Sequence, residues 1–212
     1  MTNQRKTSTT DRSSYAPFRK ANLLTLLIVL LAFGMTSSAA AQDRFGLLLS
    51  LDGSVATQDV GDADLDPGFG FEANFTYRFM PHLSAYAGWG WQRFGSGGSF
   101  AGADMDFEET GYRFGLQFMR PLGSLPVDYF LRAGGIYNHI ELENSDGDIT
   151  ADSGHGLGWQ AGAGVAVPIG AKWRFMPGLR YQSLSRDIDV GSTTTDVNLN
   201  YLALELGFHR TF

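Results

Sequence analysis

Apolar and polar residues alternate with a period of two along most of the chain beyond residue 44. Between positions 69 and 80 the odd residues are Phe69, Phe71, Ala73, Phe75, Tyr77 and Phe79, and the even ones are Gly70, Glu72, Asn74, Thr76, Arg78 and Met80. Successive side chains of a strand point to opposite faces, so this stretch predicts a strand with one apolar and one polar side; a helix would bring Glu72 and Phe75 onto the same face. The pattern recurs around Leu83 to Trp91, Tyr112 to Phe118, Val127 to Ala133, Leu157 to Val167, Trp173 to Tyr181 and Leu202 to Phe208. A less regular stretch from Phe45 to Ala56 makes eight predicted strands.

The connections alternate in length. Residues 58–67, 95–106, 144–155 and 187–198 are long and rich in Asp, Gly, Ser and Thr, whereas the links at 81–82, 121–126 and 170–171 are short. Alternating short turns and long loops predict an all-β fold, a closed eight-stranded antiparallel up-and-down transmembrane β-barrel with its short turns on the periplasmic side. An even strand count then leaves both termini periplasmic. A soluble barrel would carry its apolar face inside. Here the charged face is the one that must turn inward, because the apolar face holds all four tryptophans. Phe79, Trp89, Trp91, Tyr129, Trp159, Trp173, Tyr181 and Phe212 are expected to form aromatic girdles at two membrane interfaces. Glycines on the opposite parity, among them Gly88, Gly90, Gly115, Gly134, Gly162, Gly164 and Gly178, suit a narrow lumen where small residues make room for large neighbours.

The first 41 residues do not share this pattern. Arg5, Lys6, Arg12, Arg19 and Lys20 precede an apolar run at 21–35, and small residues end at Ala39, Ala40 and Ala41 before Gln42. A basic head, a short apolar body and an A-x-A site predict a cleavable signal peptide over 1–41, with the barrel occupying 42–212. Fifteen apolar residues fall short of the roughly 20 that span a bilayer as a helix. Five of the 16 basic residues and one of the 22 acids lie in that leader, so residues 42–212 carry a formal charge of −10. Such an acidic surface argues against nucleic acid as a partner, since nothing would neutralise phosphates. The chain has no cysteine, which removes disulfides, thiol catalysis and thiolate metal sites.

Residues 201–212, YLALELGFHRTF, have alternate apolar positions, an upstream glycine and a terminal aromatic. They resemble the C-terminal signal read by the barrel-assembly machinery, with Tyr201, Gly207, Phe208 and Phe212 as its matching positions and Arg210 as a departure on the apolar parity. Together with GFGFEANFTYRFMPHLSAYAGWGWQRF (positions 68–94), the chain resembles the OmpA/OmpX-like, opacity-like family of outer-membrane β-barrels. The resemblance implies residence in the outer membrane, contact with its lipid and lipopolysaccharide and assembly by the barrel-assembly machinery; a monomer is the default expectation. That family includes structural proteins, adhesins, resistance factors and a few enzymes, so it does not name an activity.

The inner parity carries Asp52, Glu72, Asp128 and Glu205 with Arg78, Arg113, Arg132, Lys172, Arg174 and Arg180. An eight-stranded barrel is just wide enough for side chains to fill, and an unpaired charge there costs about 3–5 kcal/mol. These groups are therefore expected to form a salt-bridge network that plugs the lumen, with Glu72 and Glu205 bridging arginines of neighbouring strands. No catalytic residue, cofactor or metal site is expected. Some barrels of this size deacylate lipid A with a His-x-Ser pair, and RYQSLS (180–185) looks similar, but Ser183 stands where the histidine would. Serine cannot act as a general base near neutral pH. The four histidines show no ligand-like spacing, and the acidic loops, including NSDGDITAD (144–152), are expected to be solvated. The function expected is that of a non-enzymatic outer-membrane barrel serving envelope integrity or surface interaction through four extracellular loops, with an unidentified extracellular ligand left open. The alternatives are a small-solute pore and a lipid A-modifying enzyme.

Overall fold

The computed structural model describes residues 43–212, apart from Asp62 and Ser192. The expected signal peptide lies outside the described residues. Nine strands follow one another: β1 (Phe45–Ala56), β2 (Gly68–Met80), β3 (Leu83–Ser96), β4 (Met105–Pro121), β5 (Asp128–Glu143), β6 (Ile149–Asp152), β7 (Gly156–Pro168), β8 (Trp173–Val190) and β9 (Thr193–Thr211). All pairings are antiparallel, and eight strands close into a ring in the order β1-β2-β3-β4-β5-β7-β8-β9. The short β6 lies outside that ring and pairs only with the end of β5. Closure between β1 and β9 runs from Gly46 opposite Thr211 to Ala56 opposite Tyr201. A closed ring leaves no strand edge, which is the condition for crossing hydrocarbon with strands.

Over the middle of the barrel the apolar side chains point out. Phe75, Leu51, Leu116, Leu131, Leu179 and Leu204 are all exposed, while Glu72, Arg113, Arg132, Arg180 and Glu205 are buried. Toward the loop end this arrangement inverts. On β8, Leu179 faces out but Leu184 and Ile188 are fully buried; on β9, Leu202 and Leu204 face out but Val197 and Leu199 are buried. Beyond lipid, water restores the ordinary preference of apolar groups for the interior. The period of two is unbroken; only the phase of the apolar residues changes.

This inversion explains where the strands outrun the sequence expectation. β5 extends to Glu143, and residues 187–198, expected as a loop, are mostly the β8–β9 hairpin, with Asp187 opposite Asp196 and a turn at Gly191. Gly191 takes a φ of 64°, the left-handed region that a tight turn needs and that glycine enters freely. Likewise residues 149–152 of the third long connection form β6. The strands are unequal: β1 has 12 residues, β8 has 18 and β9 has 19.

Candidate functional site

The lumen is filled in layers. Nearest the short turns, Leu48, Phe130, Ala166 and Met176 form a small apolar layer. Gly164 and Gly178 make room for it: a Cβ on either would stand 2.7 to 2.8 Å from the Phe130 ring. At the loop end a larger apolar layer joins Phe94, Phe107, Ile140, Leu142, Leu184 and Leu199. Val60, Ala63 and Leu65 of the β1–β2 connection fold into it, fixed by backbone hydrogen bonds between Val60 and Ala63 of 2.9 and 3.0 Å. Sequence reading did not find this cap: Val60, Ala63 and Leu65 lie in a connection outside any strand, and the strand residues they meet lie where the apolar phase reverses.

Between the two apolar layers lies the polar one. Arg180 on β8 sits at its centre: its Nε–H donates to Glu205 at 2.7 Å, and the same nitrogen stands 2.9 Å from a Glu72 carboxylate oxygen. The same guanidinium donates to Asp52 (3.1 Å), to Gln182 Oε1 (2.7 Å) and to the Tyr201 hydroxyl (3.3 Å). Arg113 on β4 pairs with Glu72. Arg132 on β5 lies 3.5 Å from Glu205 and 4.0 Å from Glu72, donates to Gln117 Oε1 at 3.3 Å, and stacks over the Tyr86 ring at 5.5 Å. Three guanidiniums thus face three carboxylates, Asp52, Glu72 and Glu205, and all six groups are buried. Paired and hydrogen-bonded, they avoid the penalty of isolated buried charge.

The partners of Glu72 differ from the expected neighbouring strands. β2 borders β1 and β3, yet the arginines reaching Glu72 come from β4, β5 and β8. The lumen is narrow enough for long side chains to meet across it. Gly90 assists: a Cβ there would lie 2.5 Å from Arg113 Nη2.

The other expected lumen charges stand apart. Lys172 is exposed in the β7–β8 turn, a correction that follows from the strand starting only at Trp173. Arg174 and Asp128 face each other at 3.6 Å beside the short turns. Arg78 lines a cavity of about 220 Å³ at that same end together with Arg44, Arg174 and His209, and has no carboxylate within ion-pair distance among the described residues. Sequence reading missed Glu109, which is fully buried and accepts from Asn138 (2.5 Å), Gln182 (2.5 Å) and the Tyr201 hydroxyl (2.9 Å). Its parity with Arg113 was the available signal.

On the outer face, aromatic residues form two bands. Phe79, Tyr129, Trp173 and Phe212 lie toward the short turns; Trp89, Trp91, Trp159 and Tyr181 lie toward the loops. Trp89 and Trp91 pack on Phe71 with ring centroids at 5.5 and 5.8 Å, and Trp159 packs on Tyr181 at 5.4 Å. Trp91 also donates its indole N–H to Glu108 at 2.8 Å, an apolar body with a polar tip. Arg210, charged yet on the outward parity, lies over the rings of Trp173 (5.5 Å) and Phe212 (5.4 Å). Cation–π contact accounts for its place in that band. Of the C-terminal positions, Phe208 faces out, Gly207 faces in with Leu48 near it, and the Tyr201 ring is buried in the lumen.

Outside the loop-end band the β5–β6 hairpin brings charged residues together. Glu141 stands opposite Asp152, and His139 Nδ1 lies 3.0 Å from Asp152 Oδ1 and 3.7 Å from Glu141 Oε1. Two of the four histidines, unremarkable by spacing, meet here: His139 stacks on His155 at 4.3 Å with 14° between planes. Burial alone would raise the Asp152 carboxyl, but hydrogen bonds from His139 and the Gly154 N–H outweigh it and hold the group below its usual value. Asn144 shapes the hairpin turn, its Oδ1 accepting from the N–H groups of Asp146 (3.0 Å) and Asp148 (2.9 Å). Ser185 is exposed and donates its hydroxyl to Asn198 Oδ1.

An outward apolar belt, two aromatic bands and a closed polar lumen are what a lipid-embedded barrel requires, and a model of the outer membrane protein beta-barrel domain matches residues 25–212. The chain belongs to that family. The barrel is accordingly an outer-membrane protein of Gram-negative type. Its fold is similar to that of Neisserial surface protein A (17% identity over 79% of this chain and 97% of that one, TM-score 0.58). It is also similar to OprG from Pseudomonas aeruginosa (14% identity, 81% and 97%, TM-score 0.55) and to outer membrane protein W of E. coli (13% identity, 81% and 99%, TM-score 0.51). At these identities the likeness is one of fold. No curated protein sequence gives a significant match.

Proposed function

We propose that the barrel is a closed, monomeric, non-enzymatic component of the outer membrane that serves envelope integrity or surface interaction through its loop end. The filled lumen carries this reading. Two apolar layers flank an ion-paired polar layer, and a continuous water path through them would have to break buried ion pairs and apolar packing together. Reconstitution into planar bilayers tests it. Conductance at the level of the bare bilayer is expected, and steady single-channel steps would replace this reading with that of a small-solute pore.

In this reading the short turns and both termini face the periplasm and the long loops face outward. The absence of native cysteine makes the orientation easy to probe. Asp146→Cys should react with an impermeant maleimide on whole cells, whereas Leu122→Cys, in the β4–β5 turn, should react only after permeabilisation. The segment 201–212 would serve as the assembly signal, with Phe208 and Phe212 as its outward aromatics. Lipid A deacylation is not expected, because Ser185 is engaged by Asn198 rather than by a histidine. Release of fatty acid from lipid A that Ser185→Ala abolishes would overturn this.

A further inference from the structure

We propose that His139, Glu141 and Asp152 form a binding site for a zinc-class divalent cation on the outer face of the β5–β6 hairpin. Their donor atoms all lie within 4.8 Å of one another. The His139 Nδ1 stands 3.0 Å from one carboxylate oxygen and 3.7 Å from the other. Ligands bound at about 2.0–2.2 Å around tetrahedral zinc are separated by roughly 3.3–3.5 Å. The two His139 contacts thus lie within a few tenths of an ångström of the ligand spacing, and an ion would take the place of the Nδ1 proton that now bridges to Asp152 as the two carboxylates draw together around it. Two carboxylates supply negative charge, and the imidazole nitrogen favours a borderline metal over the oxygen-seeking calcium and magnesium. Three protein ligands leave a fourth position open. Asp152, about half exposed at its side chain, leaves the site accessible from solvent.

The backbone presents these groups without rearrangement. His139 and Glu141 are two residues apart on β5 and so share a face, and Asp152 is the direct cross-strand partner of Glu141. Ile140 and Ser153 lock the hairpin in register, with Ile140 N–H donating to Ser153 Oγ at 2.8 Å and Ser153 N–H to the Ile140 carbonyl at 2.9 Å. Asp152 Oδ1 is oriented by the Gly154 N–H at 2.8 Å, and the His139 ring is held by the stack with His155. Such supporting contacts are what fix ligand direction in metal sites. A bound ion would tie β6 to the barrel wall just beyond the upper aromatic band.

Calorimetry on the refolded chain in detergent micelles, with zinc chloride as titrant and calcium and magnesium chlorides as comparisons, tests the assignment. One zinc ion per chain is expected, bound about tenfold or more tightly than calcium or magnesium. His139→Ala and Asp152→Asn should each weaken zinc by about tenfold or more, and His82→Ala, at the opposite end, should leave it unchanged. Heat-dependent gel mobility shows whether each variant is folded, and the wild-type titration is decisive by itself should one fail to fold. Absence of saturable zinc binding, equal affinity for calcium, or zinc affinity untouched in both ligand variants would overturn the site.

Discussion

Glu72 on β2 and Arg113 on β4 form an ion pair across the lumen, with each side chain only 1% exposed. A third strand separates them in the wall, so the contact braces the barrel through its interior rather than along its hydrogen-bonded ladder. The same carboxylate also receives Arg180, which makes Glu72 the shared counter-charge of two fully buried guanidiniums.

Replacing Glu72 by Gln removes that charge and leaves Arg113 and Arg180 poorly compensated. Breaking one partner of a buried pair costs about 3–5 kcal/mol. Urea unfolding of the reconstituted barrel should show a loss of that size. Lys172→Ala, at an exposed turn, should change stability by less than about 0.5 kcal/mol. A Glu72→Gln barrel as stable as wild type would mean that the network is not a structural brace.

Gly90 and Gly53 make a matched comparison. A Cβ on Gly90 runs into the Arg113 guanidinium, whereas a Cβ on the outward Gly53 meets nothing within 4 Å. Gly90→Ala should cost about 1–3 kcal/mol through overpacking, and Gly53→Ala should be neutral to slightly stabilising. Denaturant midpoints of the two variants side by side decide the matter.

Phe75 lies on β2 between the upper aromatics around Phe71 and the lower ones around Phe79, and it faces out. An arginine there would be placed near the hydrocarbon centre. Phe75→Arg should cost about 2–4 kcal/mol in lipid vesicles. A negligible effect would locate the bilayer elsewhere on the barrel.

Deleting residues 58–66 would remove the segment that carries Val60, Ala63 and Leu65 into the loop-end layer. The ion-pair layer lies deeper and does not depend on that segment. Conductance in planar bilayers should therefore stay at background after the deletion. Adding Arg180→Ala to the deletion removes the hub of the polar layer but leaves the short-turn layer of Leu48, Phe130 and Met176 in place. Conductance should still stay at background, and channel steps in that double variant would mean that the short-turn layer does not seal the lumen.

The eight spanning strands were legible because lipid imposes a strict rule on the middle of each: Phe69, Phe71, Phe75 and Tyr77 must face out and Glu72 must face in. The polar layer was partly legible for the same reason. Three kinds of feature escaped. Strand ends near Leu184, Val197 and Ile140 obey the opposite rule, so the apolar phase reverses and a reading that follows one phase stops too early. Contacts across the lumen, such as Glu72 with Arg113, depend on barrel diameter and not on strand adjacency. The meeting of His139 with Asp152 depends on a hairpin turn shaped by Asn144, a local hydrogen-bonding choice that no alternation reports.

The difference between the 12 residues of β1 and the 18 and 19 of β8 and β9 gives the mouth a slanted profile. Six extra residues at about 3.3 Å each, tilted as barrel strands are, raise one side by roughly 15 Å. With the loop end outward, as proposed above, a molecule approaching the cell would meet the β8–β9 crest ahead of the lower β1 flank. In that orientation the crest's threonine- and aspartate-bearing edge, rather than the ring of loops as a whole, would be the first surface such a molecule reaches.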